Sequence, residues 1–133
     1  MKKHIHVVAA VIGNEDGELL CALRSRQMSL PNVWEFPGGK VEDGEDYQAA
    51  LEREIEEELH CTITAGDVFH THTHDYEKVT VTLHCLHATI TNGTPIASEH
   101  AKLIWMPTEQ LDSLLWAPAD IPAVESLQAA AVR

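Results

Sequence analysis

The 133-residue sequence predicts an α/β fold with a mixed β-sheet between helices, and three observations predict it. A β-branched run (His-Ile-His-Val-Val-Ala-Ala-Val-Ile) fills residues 4–12, and alternating segments follow at 68–75 and 78–91. Between them Tyr47, Leu51, Ile55 and Leu59 recur every fourth position, as on a helix with one buried stripe. No repeat, low-complexity tract or linker divides the chain, so residues 1–133 read as a single domain. Such a length can bury a core without disulfide staples.

Each element has its own signal. Residues 4–12 are a β-branched run suited to a buried strand. Asn14-Glu15-Asp16-Gly17 is a turn and Glu18–Arg24 a second strand, so a hairpin is expected to open the domain. Leu30 to Trp34 form a loop leading into Glu35-Phe36-Pro37-Gly38-Gly39. Asp46 precedes the helical stripe and can accept hydrogen bonds from its first-turn N–H groups. Val68–Asp75 pairs with Lys78–Thr91, and Thr91-Asn92-Gly93-Thr94 turns the chain afterwards. Lys102–Met106 is a short strand, Thr108 caps a helix over 109–115, and Pro122 suits the first turn of a last helix running toward Val132.

Composition narrows the function. A net charge of −12 repels polyanionic DNA and RNA, which argues against a nucleic-acid-binding module. A single nucleotide is also anionic and would need metal ions plus local cations, and Arg24, Arg26, Lys40 and Arg53 are available. No run approaches the ~20 apolar residues of a membrane span. Cys21, Cys61 and Cys85 lack C-x-x-C spacing and read as reduced thiols of a cytoplasmic protein. His70, His72 and His74 share one face of a strand, but no further ligand spacing joins them into a zinc site. They read as a solvent-facing or cleft-lining strand.

The most informative segment runs from Gly39 to Leu59. Glu54, Glu57 and Glu58 stand at i, i+3 and i+4, so a helix projects them from one side. Such carboxylates repel one another unless a hard divalent cation, with its preference for oxygen ligands, reverses the sign. Three glutamates alone often make only a solvated acidic face. Gly39, Glu45, Arg53, Glu54, Glu57 and Glu58 in fixed register would arise by chance on the order of once in ten million windows.

The string resembles the Nudix box, G-x5-E-x7-R-E-U-x-E-E-x-G-U, over Gly39 to Cys61. Ile55 fills the first bulky aliphatic position U. His60 replaces the last glycine, and Cys61 the last aliphatic. The glycine ends the helix in a left-handed conformation, where another residue costs up to about 1 kcal/mol. The resemblance implies the Nudix α/β/α sandwich and Mg²⁺ (or Mn²⁺) held by Glu54, Glu57, Glu58 and the Gly38 carbonyl. It also implies a structural pairing of Arg53 with Glu45. Glu54 and Glu99 compete as the general base, with Glu57 essential among the ligands.

Trp34-Glu35-Phe36-Pro37-Gly38-Gly39 resembles the box entrance of mutator-type triphosphate pyrophosphohydrolases, which implies substrate contacts from Glu35, Phe36, Pro37 and Gly38. The same resemblance puts Arg24 against the nucleotide. Lys78 is a further phosphate candidate. Ala117-Pro118-Ala119-Asp120-Ile121-Pro122 resembles the tail of bacterial enzymes acting on CTP, dCTP and modified cytosine nucleotides. A carboxylate at Asp120 can accept from the cytosine 4-amino group. The alternative is that Asp120 only caps the following helix. The expected activity is Mg²⁺-dependent cleavage of a nucleoside triphosphate to monophosphate and pyrophosphate, by a monomer or homodimer. An 8-oxo-dGTP diphosphatase and a non-catalytic nucleotide sensor are the alternatives.

Overall fold

The computed structural model describes residues 2–131. Their regular elements are β1 (Lys3–Ile12), β2 (Glu18–Leu23), β3 (Trp34–Glu35), β4 (Gly38–Lys40), α1 (Tyr47–Leu59), β5 (Thr62–Asp75), β6 (Val79–Asn92), β7 (Lys102–Pro107) and α2 (Ile121–Ala131). The end of the last predicted helix, at Val132, lies outside the described residues.

The mixed sheet runs β4-β1-β6-β5, with β1 parallel to β6 and antiparallel to β4. Val8, Ala10 and Ile12 enter one core beneath α1, and Ala9 and Val11 enter a second on the side of α2. With both faces covered, β1 carries no polar alternation over this stretch.

The expected β1–β2 hairpin does not form. The turn is real: Asn14 Oδ1 accepts from the Asp16 and Glu18 N–H groups, and Gly17 takes φ +75°. After one bridge, Gly13 to Leu19, β2 leaves for a three-stranded antiparallel sheet of order β3-β2-β7. Both edges of β1 are already paired, by β4 and β6, so β2 has no edge to join.

Other boundaries moved for local reasons. β5 begins at Thr62, before the predicted Val68, because register shifts between Ala65 and His70 break its alternation. The predicted helix over 109–115 is a 3₁₀ helix, Thr108–Ser113. Its one buried residue, Leu111, gives an α-helix too little to pack on. Thr108 does not cap it: the hydroxyl donates to the Gly17 carbonyl at 3.4 Å. Pro122 sits in the first turn of α2, as predicted.

Helix α1 matches its sequence signals closely. The Ala49 N–H donates to Asp46 Oδ1 at 2.7 Å, and Leu51, Ile55 and Leu59 are fully buried with Tyr47 partly so. The helix ends at His60, which adopts the left-handed conformation (φ 57°, ψ 34°) expected of the missing glycine. Its N–H still reaches the Glu56 carbonyl.

Candidate active site

The turn before α1 and the helix are locked together by glycine and by arginine. A Cβ on Gly38 would overlap the Val8 carbonyl, and one on Gly39 would overlap the Glu54 carboxylate. Strand β4 therefore lies directly against Glu54. Arg53 donates to both oxygens of Glu45, at 2.7 and 2.9 Å, and to the Lys40 carbonyl at 3.1 Å. Its hydrogen bonds, with that from the Glu42 N–H, hold the Glu45 carboxyl down to about 2. The same guanidinium reaches Glu54 at 2.9 Å and Glu57 at 3.3 Å.

Glu54, Glu57 and Glu58 do share one side of the helix, yet they form no closed cage. Among the described residues no three carboxylate, imidazole or thiol groups converge as a ligand set. Arg53 spans Glu54 and Glu57. Burial raises the affinity of Glu54 for a proton, with Arg53 opposing. Burial, then the charges of Glu54, Glu99, Glu35 and Glu57, push Glu58 up to about 8. Glu58 Oε1 is buried with no hydrogen-bond partner among the described residues. An all-oxygen donor set with a buried, unpartnered carboxylate oxygen and mutual repulsion fits a hard divalent cation.

A cavity of about 650 Å³ opens beside these groups, within the range of small-molecule sites. Of the residues singled out in the sequence, Arg24, Glu35, Phe36, Gly38, Gly39, Glu58, Lys78 and Asp120 line it. Glu54, Glu57 and Glu99 do not, and Glu99 is exposed in the segment before β7. Pro37 is buried away from it, its carbonyl accepting from the Ala10 N–H at 2.8 Å. The Phe36 ring, 2% exposed, leans on Trp116 at 4.7 Å.

Asp120 is buried at the end of a 3₁₀ turn, Pro118–Asp120. Its Oδ2 accepts from the Phe36 N–H at 3.0 Å, so the carboxyl spans the fold and does not cap α2. Burial and the Glu35 charge push it up to about 8, partly offset by the Phe36 N–H and Arg24. Where it keeps its proton the carboxyl offers one donor as well as acceptors, and where it ionises it offers acceptors alone.

Two contributors carried no local signal in the sequence. The His100 side chain, 1% exposed, meets Glu35 Oε2 at 2.8 Å, while Arg24 holds Glu35 Oε1 at 2.8 Å. Tyr76, at the β5–β6 turn, lines the cavity and accepts from the Ala119 N–H at 3.1 Å. His70, His72 and His74 are half-buried on β5 outside the lining, with His74 against Tyr76 at 4.5 Å.

A sequence model of the NUDIX domain matches residues 2–133. The chain belongs to the Nudix family. It is 40% identical over 127 residues to the CTP pyrophosphohydrolase of Escherichia coli K12, covering 96% of this chain and 93% of that one. It is 29% identical over 126 residues to the 8-oxo-dGTP diphosphatase of Haemophilus influenzae, covering 95% and 93%. Among solved structures, the MutT protein of methicillin-resistant Staphylococcus aureus 252, a Nudix hydrolase, superposes with TM-score 0.79 at 45% identity, over 98% of this chain and 99% of that one. This Nudix chain is thus a hydrolase acting on phosphoric anhydrides, in a family whose enzymes act on small nucleotides and generally use divalent metal ions. Its α1 is the Nudix helix, and the cavity lies beside that helix's carboxylates.

Proposed function

We propose that this Nudix hydrolase is a single-domain, Mg²⁺-dependent nucleoside triphosphate pyrophosphohydrolase preferring cytosine nucleotides. It releases a nucleoside monophosphate and pyrophosphate, and so clears modified or unwanted nucleotides. One observation carries the reading: a single cavity runs from Asp120 and Glu35 to Gly39 and Glu58. A base at the first end would leave its phosphates beside the box. Glu54, Glu57, Glu58 and the Gly38 carbonyl are the donors for Mg²⁺, with Mn²⁺ as a substitute. When bound, the ion supplies charge neutralisation at the phosphate oxygens.

The side chains supply the rest. Asp120 faces the base, and Arg24 and Glu35 fix each other at the cavity wall. Lys78, exposed at the rim, offers a cation to the phosphates. Glu54 is favoured over Glu99 as the proton acceptor for the attacking water, because burial lifts its proton affinity toward the working range. Binding of nucleic acid is disfavoured by the −12 charge. Three free, buried thiols suit a cytoplasmic protein, as monomer or homodimer.

A second reading, 8-oxo-dGTP hydrolysis, is favoured by the upward push that burial and Glu35 exert on the Asp120 carboxyl, because a protonated carboxyl can donate to a purine O6. A screen of CTP, dCTP, 5-substituted cytosine triphosphates and 8-oxo-dGTP with Mg²⁺ and pyrophosphate detection separates the two. Cytosine triphosphates are expected to show the higher kcat/KM. A lead for 8-oxo-dGTP overturns the base assignment, and turnover undiminished by excess chelator overturns the metal dependence.

A further inference from the structure

We infer that His100 is a positioning residue: its ring ties the cavity carboxylate Glu35 to the segment carrying Glu99. The inference rests on the proposed triphosphate hydrolysis in that cavity, and its geometry stands independently of it. The His100 ring is almost wholly enclosed, and among the described residues its one hydrogen bond joins Nε2 to Glu35 Oε2 at 2.8 Å. Among the described residues Nδ1 of the ring is buried without a partner, so losing the Glu35 bond would leave both ring nitrogens unsatisfied, and the bond is a strong constraint on where the ring sits.

The constraint extends both ways. On one side Glu35 Oε1 accepts from Arg24, whose Nε donates to the Ser29 carbonyl at 2.7 Å and Nη2 to its Oγ at 3.1 Å. Ser29 lines the cavity, so the chain of bonds runs from its wall to His100. On the other side the backbone from Gly93 to Ala101 has no regular hydrogen-bond ladder to hold it. It is held at points: Ile96 N–H to the Leu59 carbonyl at 2.9 Å, Ser98 Oγ to the Glu58 carbonyl at 2.7 Å, and Ala101 N–H to the Leu23 carbonyl at 2.9 Å. Glu99 lies between the Ser98 anchor and His100, close enough for its charge to act on Glu58. Releasing His100 removes one of the two side-chain anchors that flank Glu99, leaving that of Ser98, and frees one oxygen of Glu35.

The test uses the different reach of two amides. A glutamine places its side-chain nitrogen near the position of imidazole Nε2, whereas asparagine reaches only that of Nδ1. His100→Gln is therefore expected to keep kcat/KM for the preferred triphosphate within about threefold of wild type. His100→Asn and His100→Ala should lose about 10- to 100-fold, as supporting hydrogen bonds around metal sites commonly do. In a Glu35→Gln background the His100→Ala loss should shrink at least threefold, because the two changes break one link.

Amide hydrogen exchange without metal or nucleotide supplies a readout that needs no turnover. The Ala101 N–H should exchange about tenfold faster in the alanine and asparagine variants than in wild type, and at the wild-type rate in the glutamine variant. Equal behaviour of glutamine and asparagine, or unchanged exchange in all three, overturns the inference. Absence of triphosphate turnover in the wild type would instead overturn the proposed function, and the exchange comparison would still decide the place of His100.

Discussion

The two ends of the cavity are built by opposite means. The acid end comes from one continuous stretch, Gly38 to Glu58, where helical spacing alone puts Glu54, Glu57 and Glu58 on one side and Arg53 within reach of two of them. The nucleotide end is gathered from Arg24, Glu35 and Phe36, the Tyr76–Lys78 turn, and Asp120. At the acid end like charges crowd together, and burial with mutual repulsion raises Glu58. At the other end polar groups pair across the fold, Arg24 with Glu35 and Asp120 with the Phe36 N–H. Local spacing therefore sets the chemistry, and long-range packing sets what is recognised.

Breaking the acid end should have the largest effect. Glu57→Gln is expected to lower kcat by about 100-fold or more, because a neutral amide is a poorer ligand for a hard cation. The fold should persist, since that side chain is 60% exposed, and a circular dichroism melt alongside the kinetics checks both points. Excess chelator should abolish turnover in the wild type. Full activity in either experiment would mean that the crowded carboxylates have another purpose.

At the nucleotide end the expected change is one of ranking. Asp120→Asn can keep an acceptor for the Phe36 N–H, so folding should survive. The ratio of kcat/KM for dCTP to that for 8-oxo-dGTP should fall about tenfold, as the amide presents a different hydrogen-bonding edge. An unchanged ranking with an altered melting temperature would make Asp120 a purely structural contact.

Acidity sharpens the same point. Asp120 holds its proton up to about 8 in the folded protein against an ordinary value of 3.8. Its stabilising contribution is therefore fully present below the ordinary value and lost as pH rises through about 8. Between about pH 6 and pH 9 the melting temperature of the wild type should fall by a few degrees relative to Asp120→Asn. Over the same interval the wild type should shift toward cytosine triphosphates, as the ionised carboxyl becomes an acceptor for the 4-amino group. Parallel melting curves for the two proteins would show that the carboxyl ionises normally.

The smallest effect belongs to the end of the acidic helix. His60→Gly should stabilise the protein by up to about 1 kcal/mol, because glycine adopts the left-handed conformation without the side-chain penalty and the exposed imidazole makes no hydrogen bond among the described residues. A clear loss of stability in a denaturant titration would reveal a partner for that ring.

Legibility in the sequence follows the same division. The Asp46 cap and the Leu51–Ile55–Leu59 stripe were readable from residues within one or two helical turns, while the Arg53–Glu45 pair and the left-handed His60 were implied by the resemblance to the Nudix box. Arg24, Glu35 and Asp120 were singled out one at a time, but nothing in their spacing said that they meet. His100 was missed because a lone histidine beside a glutamate gives no sign of a partner on another strand. The hairpin failed for the same reason. A turn at Asn14–Gly17 is a local fact, whereas the occupation of both edges of β1 is decided by segments far along the chain.

The placement of β1 also has a consequence for how the molecule assembles. This apolar strand finds its parallel neighbour only in a segment that begins at Val79, so a large loop must close before most of its hydrogen bonds can form. Non-local parallel pairing of that kind slows folding and leaves the apolar strand uncovered during synthesis, as the polypeptide emerges N-terminus first. The box helix can nucleate early from its own cap and stripe. The cavity cannot exist until β6 has docked and the chain beyond it has delivered Asp120, so ligand binding reports on the last events of folding and not the first.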